Sequence, residues 1–107
     1  MPNSYKNAKV DLTTTGVTVL YTTPSATTAL IKSILVSEDT GNADTITVTI
    51  TDADAAVFSL FKVIAIAANT TVELLTEPLV VQENEILKVT AATANRLHVV
   101  ASLLEIN

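Results

Sequence analysis

The sequence has no cysteine and no tryptophan, and it contains one histidine. Without cysteine, the chain can form no disulfide scaffold, thiolate metal site or cysteine nucleophile. A single histidine, His98, excludes a multi-histidine metal centre within one chain. Aromatic residues make up only 4%. The chain therefore offers few of the stacking platforms that sugar-binding sandwiches use.

Charge is also scarce, at 16% of residues, and the net charge is −5. A nucleic-acid or anionic-membrane surface needs clustered cations. Here the basic residues are scattered along the chain, so we expect neither partner. They are Lys6, Lys9, Lys32, Lys62, Lys88 and Arg96.

Long hydrophobic runs are absent too. The longest apolar stretch, 55–68, is interrupted by Ser59 and Lys62 and is too short to span a bilayer. The polar start lacks the apolar core of a signal peptide, so we expect a soluble product made in the cytoplasm. With 107 residues and 49% apolar content, the chain is predicted to fold as one ordered domain.

Threonine, valine and isoleucine together supply more than a third of the chain, which favours strands. The clearest strand is 45–51, TITVTIT, in which Ile46, Val48 and Ile50 alternate with threonines. An amphipathic helix would not place these three residues on one face. The segment is also uncharged and free of proline, a composition typical of amyloid-forming strands.

The same test predicts eight or nine short strands, and therefore an all-β fold, a single antiparallel β-sandwich of jelly-roll or immunoglobulin-like type. The turn at 39–42 is expected to join its two flanking strands as a hairpin. Residues 1–8 are predicted to form a mobile N-terminal arm, and 9–107 the sandwich domain. The predicted strands cover 9–12, 17–21, 29–38, 45–51, 57–67 (one strand, or two with a bend near Lys62), 70–75, 79–81, 85–90 and 97–106.

Residues that could carry chemistry are few. His98 lies in an alternating strand with no nucleophile motif, so we interpret it as a surface or interface histidine. Asp52 and Asp54, with Glu38 or Asp39, could contribute oxygen ligands for calcium, but the calcium-loop pattern is incomplete. Phe58 and Phe61 are expected to pack in the core. The prediction is a protein that is not an enzyme and needs no cofactor.

Several strands are apolar on both faces. They contain Leu30, Ile31, Ile34, Leu35 and Val36, and later Leu97, Val99, Val100, Leu103, Leu104 and Ile106. One face of each strand can be buried internally, and the other requires cover from a second chain. We therefore expect a homo-oligomer or docking on a larger lattice, with an ordinary monomer as the competing interpretation.

Several segments resemble small virion proteins of tailed bacteriophages, notably those of marine cyanobacteria. They are NSYKNAKVDLTTTGVTVLYTTPSATTALIKSILVSED at 3–39, EPLVVQENEILKVTAATAN at 77–95 and LHVVASLLEI at 97–106. The resemblance covers nearly the whole chain, and its motifs are structural. It implies a β-sandwich capsid-decoration (cement) protein, located on the virion, that binds the major capsid protein or another virion protein.

The resemblance further implies self-association, with a trimer favoured, and an arm that tethers the domain to the shell. Tyr5, Lys6 and Lys9 are the predicted partner-binding residues, through an aromatic contact and charge pairs. The alternatives are a neck or tail adaptor, or a tail-fibre-associated sandwich that binds a host receptor or glycan.

Overall fold

The computed structural model describes residues 3–107. These residues form nine strands and no helix, which confirms the all-β prediction and leaves no helix at the alanine-rich segment 53–68. The strands are β1 (Asn3–Asp11), β2 (Thr18–Thr22), β3 (Thr28–Glu38), β4 (Asp44–Thr51), β5 (Val57–Ile66), β6 (Thr71–Glu73), β7 (Leu79–Val81), β8 (Ile86–Ala91) and β9 (Leu97–Ile106).

The strands build two antiparallel sheets that pack face to face. The five-stranded sheet has the order β1-β9-β3-β6, with β7 also paired to β3, and the four-stranded sheet has the order β2-β8-β4-β5. The pairs β1–β9, β2–β8, β3 with β6 and β7, and β4–β5 describe one long ribbon folded at the β4–β5 turn. Rolling this ribbon adds the contacts β3–β9 and β4–β8, which gives jelly-roll topology rather than an immunoglobulin-like order.

The core lies between the two sheets and follows the alternation seen in the sequence. Ile46 and Val48 of β4 are fully buried, opposite residues of the other sheet such as Ile31, Ile34 and Val99. Threonines on the other side of β4 remain partly exposed. Because alternate side chains of a strand point to opposite faces, the TITVTIT pattern placed this strand correctly.

The predicted hairpin between β3 and β4 is wrong. The turn at 39–42 exists, but β3 belongs to the five-stranded sheet and β4 to the four-stranded sheet, so the chain crosses between sheets here. The strand partners come from distant segments instead: β9 for β3, and β8 for β4. A turn signal in the sequence shows that the chain reverses, and it does not show which strand receives the hydrogen bonds.

The first strand begins at Asn3 rather than at Lys9. Residues 3–8, which were assigned to a mobile arm, pair in continuous register with β9 at the edge of the five-stranded sheet. The strand escaped detection because only Ala8 and Val10 pack against the core, so most of it shows no apolar alternation. Residues 1 and 2 of the predicted arm lie outside the described residues.

The fifth strand is continuous but irregular, as the predicted bend near Lys62 suggested. Its pairing with β4 shifts register twice between Ile46 and Thr49, and Val63 adopts a positive φ of 53°. The edge strand is thereby twisted, a common way to discourage edge-to-edge pairing. In the part of the chain that the structure describes, no helix is long and apolar enough to cross a membrane.

Candidate interaction surface

The outward face of the five-stranded sheet carries three rows of side chains that run across four strands. Directly opposed residues in neighbouring strands share a face. The charged row is Lys9, Val100, Leu35 and Glu73; the apolar row is Tyr5, Leu104, Leu30 and Val80; the polar row is Asp11, His98, Ser37 and Thr71. We call this surface the row face.

The row face exposes several large apolar side chains. Leu35 is 38% exposed, Val80 53% and Tyr5 76%. The outer surface of the four-stranded sheet presents Thr45, Thr49, Lys88 and Thr90 on its two central strands, and its edge strands expose Val19 and Val63. The two strands predicted to be apolar on both faces, β3 and β9, are neighbours, so their outer side chains merge into one surface.

Tyr5 and Lys9, two of the three predicted partner-binding residues, lie on the row face. The Lys32 ammonium lies 5.6 Å from the centre of the Tyr5 ring, in a cation–π arrangement that reaches across β9. Lys9 is exposed, and its ammonium donates to Asn7 Oδ1 at 3.3 Å. Their role in binding a partner stays a prediction.

Lys6, the third predicted residue, points toward the other side of the sheet. It is opposite the buried Leu103, and its ammonium contacts Glu105 Oε1 at 2.9 Å. The structure therefore separates Lys6 from Tyr5 and Lys9. Strand alternation between positions 5 and 6 could have indicated this separation if the strand had been recognised.

Glu105 links the two sheets at the edge of the core. The Tyr21 hydroxyl, on the four-stranded sheet, donates to Glu105 Oε2 at 2.5 Å. The hydrogen bonds from Tyr21 and from Lys6 lower the pKa of Glu105, although burial opposes them. Burial and the neighbouring carboxylate raise the pKa of Tyr21 in turn. The carboxylate therefore stays ionised and the phenol protonated, which is the combination that this contact requires.

Glu38 is a buried carboxylate that holds two loops, a role that no pattern in the sequence indicated. It is 1% exposed and accepts hydrogen bonds from the backbone of Thr40, Gly41 and Asn42 and from Asn69, as well as from the Thr40 hydroxyl. Burial raises its pKa, but the hydrogen bonds from Thr40, Asn69 and Gly41 outweigh burial and lower the pKa to about 2.

Glu73 anchors the far end of the charged row. Its carboxylate accepts hydrogen bonds from the Ser33 hydroxyl, from the Ile34 amide at 2.8 Å and from the Leu75 amide at 3.2 Å. Burial opposes ionisation, but these hydrogen bonds lower the pKa of Glu73 below its usual value. The row face thus carries a fixed negative charge at β6 and a positive charge at β1.

The calcium ligands considered from the sequence do not come together. Asp52 and Asp54 follow β4, whereas Glu38 and Asp39 precede it, so the two pairs lie at opposite ends of an eight-residue strand. Asp52 Oδ1 instead accepts hydrogen bonds from the amides of Asp54 and Ala56. Among residues 3–107, no group of three or more His, Asp or Glu side chains could hold a metal ion.

His98 lies in the polar row between two carboxylates. Its Nε2 is 3.2 Å from Asp11 Oδ1, and its Nδ1 is 3.7 Å from Asp39 Oδ2. The side chain is 45% exposed, in agreement with a surface strand histidine. These contacts join the end of β1 to the loop that follows β3.

The two phenylalanines differ in their surroundings. Phe61 packs against the core as predicted, but Phe58 is 54% exposed at the β5 edge, so the core assignment was wrong for it. The prediction rested on the position of both residues in the apolar segment 57–68, which does not show which of them the sheet buries. Beside Phe61, a groove of about 280 Å³ runs along Leu74, Leu75, Pro78 and Leu79.

Comparison with known proteins identifies no relative: no family model matches the chain, and no curated protein matches it.

Proposed function

We propose that this protein is a structural component of a tailed-phage virion, a non-enzymatic capsid-decoration (cement) protein that binds the outer head surface as an oligomer. The row face is the single observation that carries the proposal. Its aliphatic side chains and Tyr5 lie on one outer sheet face, on both sides of a polar band of Asn7, Ser102 and Ser33. Exposed apolar side chains grouped on one face of a small domain are typical of an interaction site.

Three further properties support a structural role. The jelly roll is a fold common in capsid proteins, although fold alone does not determine function. Two buried strand carboxylates, Glu38 and Glu105, are engaged in structural contacts. The net charge of −5 suits a protein that must stay dissolved until it meets its partner.

The experiment is to measure copy number and position of the protein in purified virions by quantitative mass spectrometry and electron cryomicroscopy. The proposal predicts hundreds of copies distributed over the head surface, because a decoration protein repeats with the capsid lattice. Few copies at the neck or tail would contradict the cement role and favour an adaptor. Binding of the purified protein to host cells or glycans would favour the receptor-binding alternative.

A matched pair of variants connects this role to the row face. Leu35→Asp places a charge in the middle of the row face, and Thr49→Asp places the same charge on the opposite outer surface. Leu35→Asp should lose occupancy on heads and Thr49→Asp should keep it. Equal occupancy of the two variants would show that occupancy on heads does not depend on the row face.

A further inference from the structure

We infer that the row face pairs with the row face of a second copy, about a two-fold axis that runs parallel to the strands between β3 and β9. The inference names the self-association partner within the proposed structural function and rests on that proposal. Its basis is a self-complementary arrangement of charge and apolar side chains, fixed by the strand register.

A rotation of 180° about such an axis leaves each row at the same position along the strands. It reverses the order of the strands within the row, so that β1 of one copy faces β6 or β7 of the other. In the charged row, Lys9 of one copy then faces Glu73 of the other, and Val100 faces Leu35. Symmetry produces this arrangement twice, as in any isologous interface. Two opposite-charge pairs therefore flank an aliphatic centre.

The other two rows obey the same operation. In the apolar row, Leu104 faces Leu30, and Tyr5, with the Lys32 ammonium 5.6 Å from its ring centre, faces Val80. In the polar row, Asp11 faces Thr71 and His98 faces Ser37, which places no like charges together.

A two-fold axis across the strands gives a worse match. It would lay the charged row on the apolar row, so that Lys9 meets Tyr5 and Glu73 meets Val80 without an opposite charge. Between the charged and apolar rows, the axis along the strands places Ser102 of one copy opposite Ser33 of the other, and Lys32 reaches from β3 toward the Tyr5 ring.

The surface is close to the minimum size for a specific dimer. Four strands about 4.8 Å apart and nine residues at about 3.3 Å each give roughly 570 Å² per copy. The total of about 1,100 Å² is near the lower limit for specific interfaces. We therefore expect a reversible dimer rather than the trimer that the family resemblance implies.

Charge reversal tests the pairing directly by sedimentation velocity. Lys9→Glu places two glutamates in contact at each end of the interface, and Glu73→Lys places two lysines there. Each variant alone should raise the dimer Kd by about tenfold or more. An equimolar mixture should recover the dimer, because each Glu at position 9 then faces a Lys at position 73, and the remaining Lys9 faces Glu73. Lys88→Glu, the same charge change on the opposite outer surface, should leave the Kd unchanged.

The outcomes separate this inference from the proposed function. A mixture that stays monomeric while circular dichroism shows both variants folded would overturn the inference, and so would an oligomer insensitive to Lys9→Glu. Neither result contradicts the cement role, which the virion copy number tests. Glu73→Lys also removes the acceptors for Ser33 and Ile34, so this variant could fail to fold. In that case the comparison of Leu35→Asp with Thr49→Asp tests the pairing. Loss of the dimer in Leu35→Asp alone supports it. Equal dimerisation of those two variants overturns it.

Discussion

Removal of the Tyr21 hydroxyl should weaken the connection between the two sheets. Tyr21→Phe deletes the hydrogen bond to Glu105 and keeps the ring, which packs against the core. A hydrogen bond to a charged group contributes about 1.5–3 kcal/mol. Tyr21 is only partly buried, so we expect the lower part of this range, a loss of about 1.5–2 kcal/mol. Lys6 cannot compensate, because its side chain is 55% exposed and water screens its charge.

Urea unfolding followed by far-ultraviolet circular dichroism measures this loss, since the chain has no tryptophan to report by fluorescence. For a domain near 100 residues, each kcal/mol of lost stability lowers the Tm by about 4 °C, so a thermal scan should show a fall in Tm of about 6–8 °C. A double-mutant cycle with Glu105→Gln isolates the pair from other effects of each change. The coupling between positions 21 and 105 should exceed about 1 kcal/mol at pH 7.

The pH dependence gives a second check on the same contact. The folded pKa of Glu105 is lowered, with the Tyr21 hydrogen bond as its largest cause, while the pKa of an unfolded glutamate is about 4.3. The stabilisation is therefore complete above about pH 4.3 and disappears as the pH falls through the folded value. The difference between wild type and Tyr21→Phe should shrink below about pH 4. A loss under about 0.5 kcal/mol at pH 7, or one that does not change at low pH, would refute this account.

Two further substitutions test the loops and the irregular edge strand. Glu38→Gln should lower the free energy of unfolding at pH 7 far more than the same change at the exposed Glu77. The difference between the two variants should decrease as the pH falls from about 4.3, the pKa of an unfolded glutamate, toward the folded pKa of about 2. Denaturant unfolding at each pH measures this difference. Val63→Gly should raise the free energy of unfolding in urea by up to about 1 kcal/mol. The left-handed backbone of position 63 costs a β-branched residue about 1–2 kcal/mol. This cost is larger than the destabilisation that glycine causes through its greater conformational entropy in the unfolded chain. Val57→Gly, on the same strand without positive φ, should destabilise instead; stabilisation by both changes, or by neither, would contradict the strain argument.

The sequence predicted what depends on local alternation. Strands β7 and β9 have the predicted bounds, and β3 and β4 each begin one residue before theirs. The prediction that β3 and β9 are apolar on both faces is also confirmed, since Leu30, Leu35 and Leu104 lie on the outward face. These features follow from the two-residue period of a strand, which can be read within a few residues.

What depends on long-range pairing could not be predicted. No local pattern distinguishes a hairpin from a crossover at 39–42, or jelly-roll from immunoglobulin-like order. Lys9 and Glu73 lie at opposite ends of one row only because of the registers of three strand pairs, β1–β9, β9–β3 and β3–β6. None of these pairs joins strands that are neighbours in the sequence. The buried role of Glu38 was also hidden, because one of its donors, Asn69, lies 31 residues away.

The ribbon topology has a consequence for synthesis of the chain on the ribosome. β4 contains the uncharged TITVTIT segment, and one of its neighbours, β8, begins about 35 residues after β4 ends. At about 5–20 residues per second, this edge of β4 lacks its partner for roughly 2–7 seconds in each round of translation. β5 emerges much sooner and covers the other edge. Early closure of the β4–β5 hairpin would therefore leave only the β8-facing edge of β4 open to pairing with neighbouring nascent chains on the same messenger RNA.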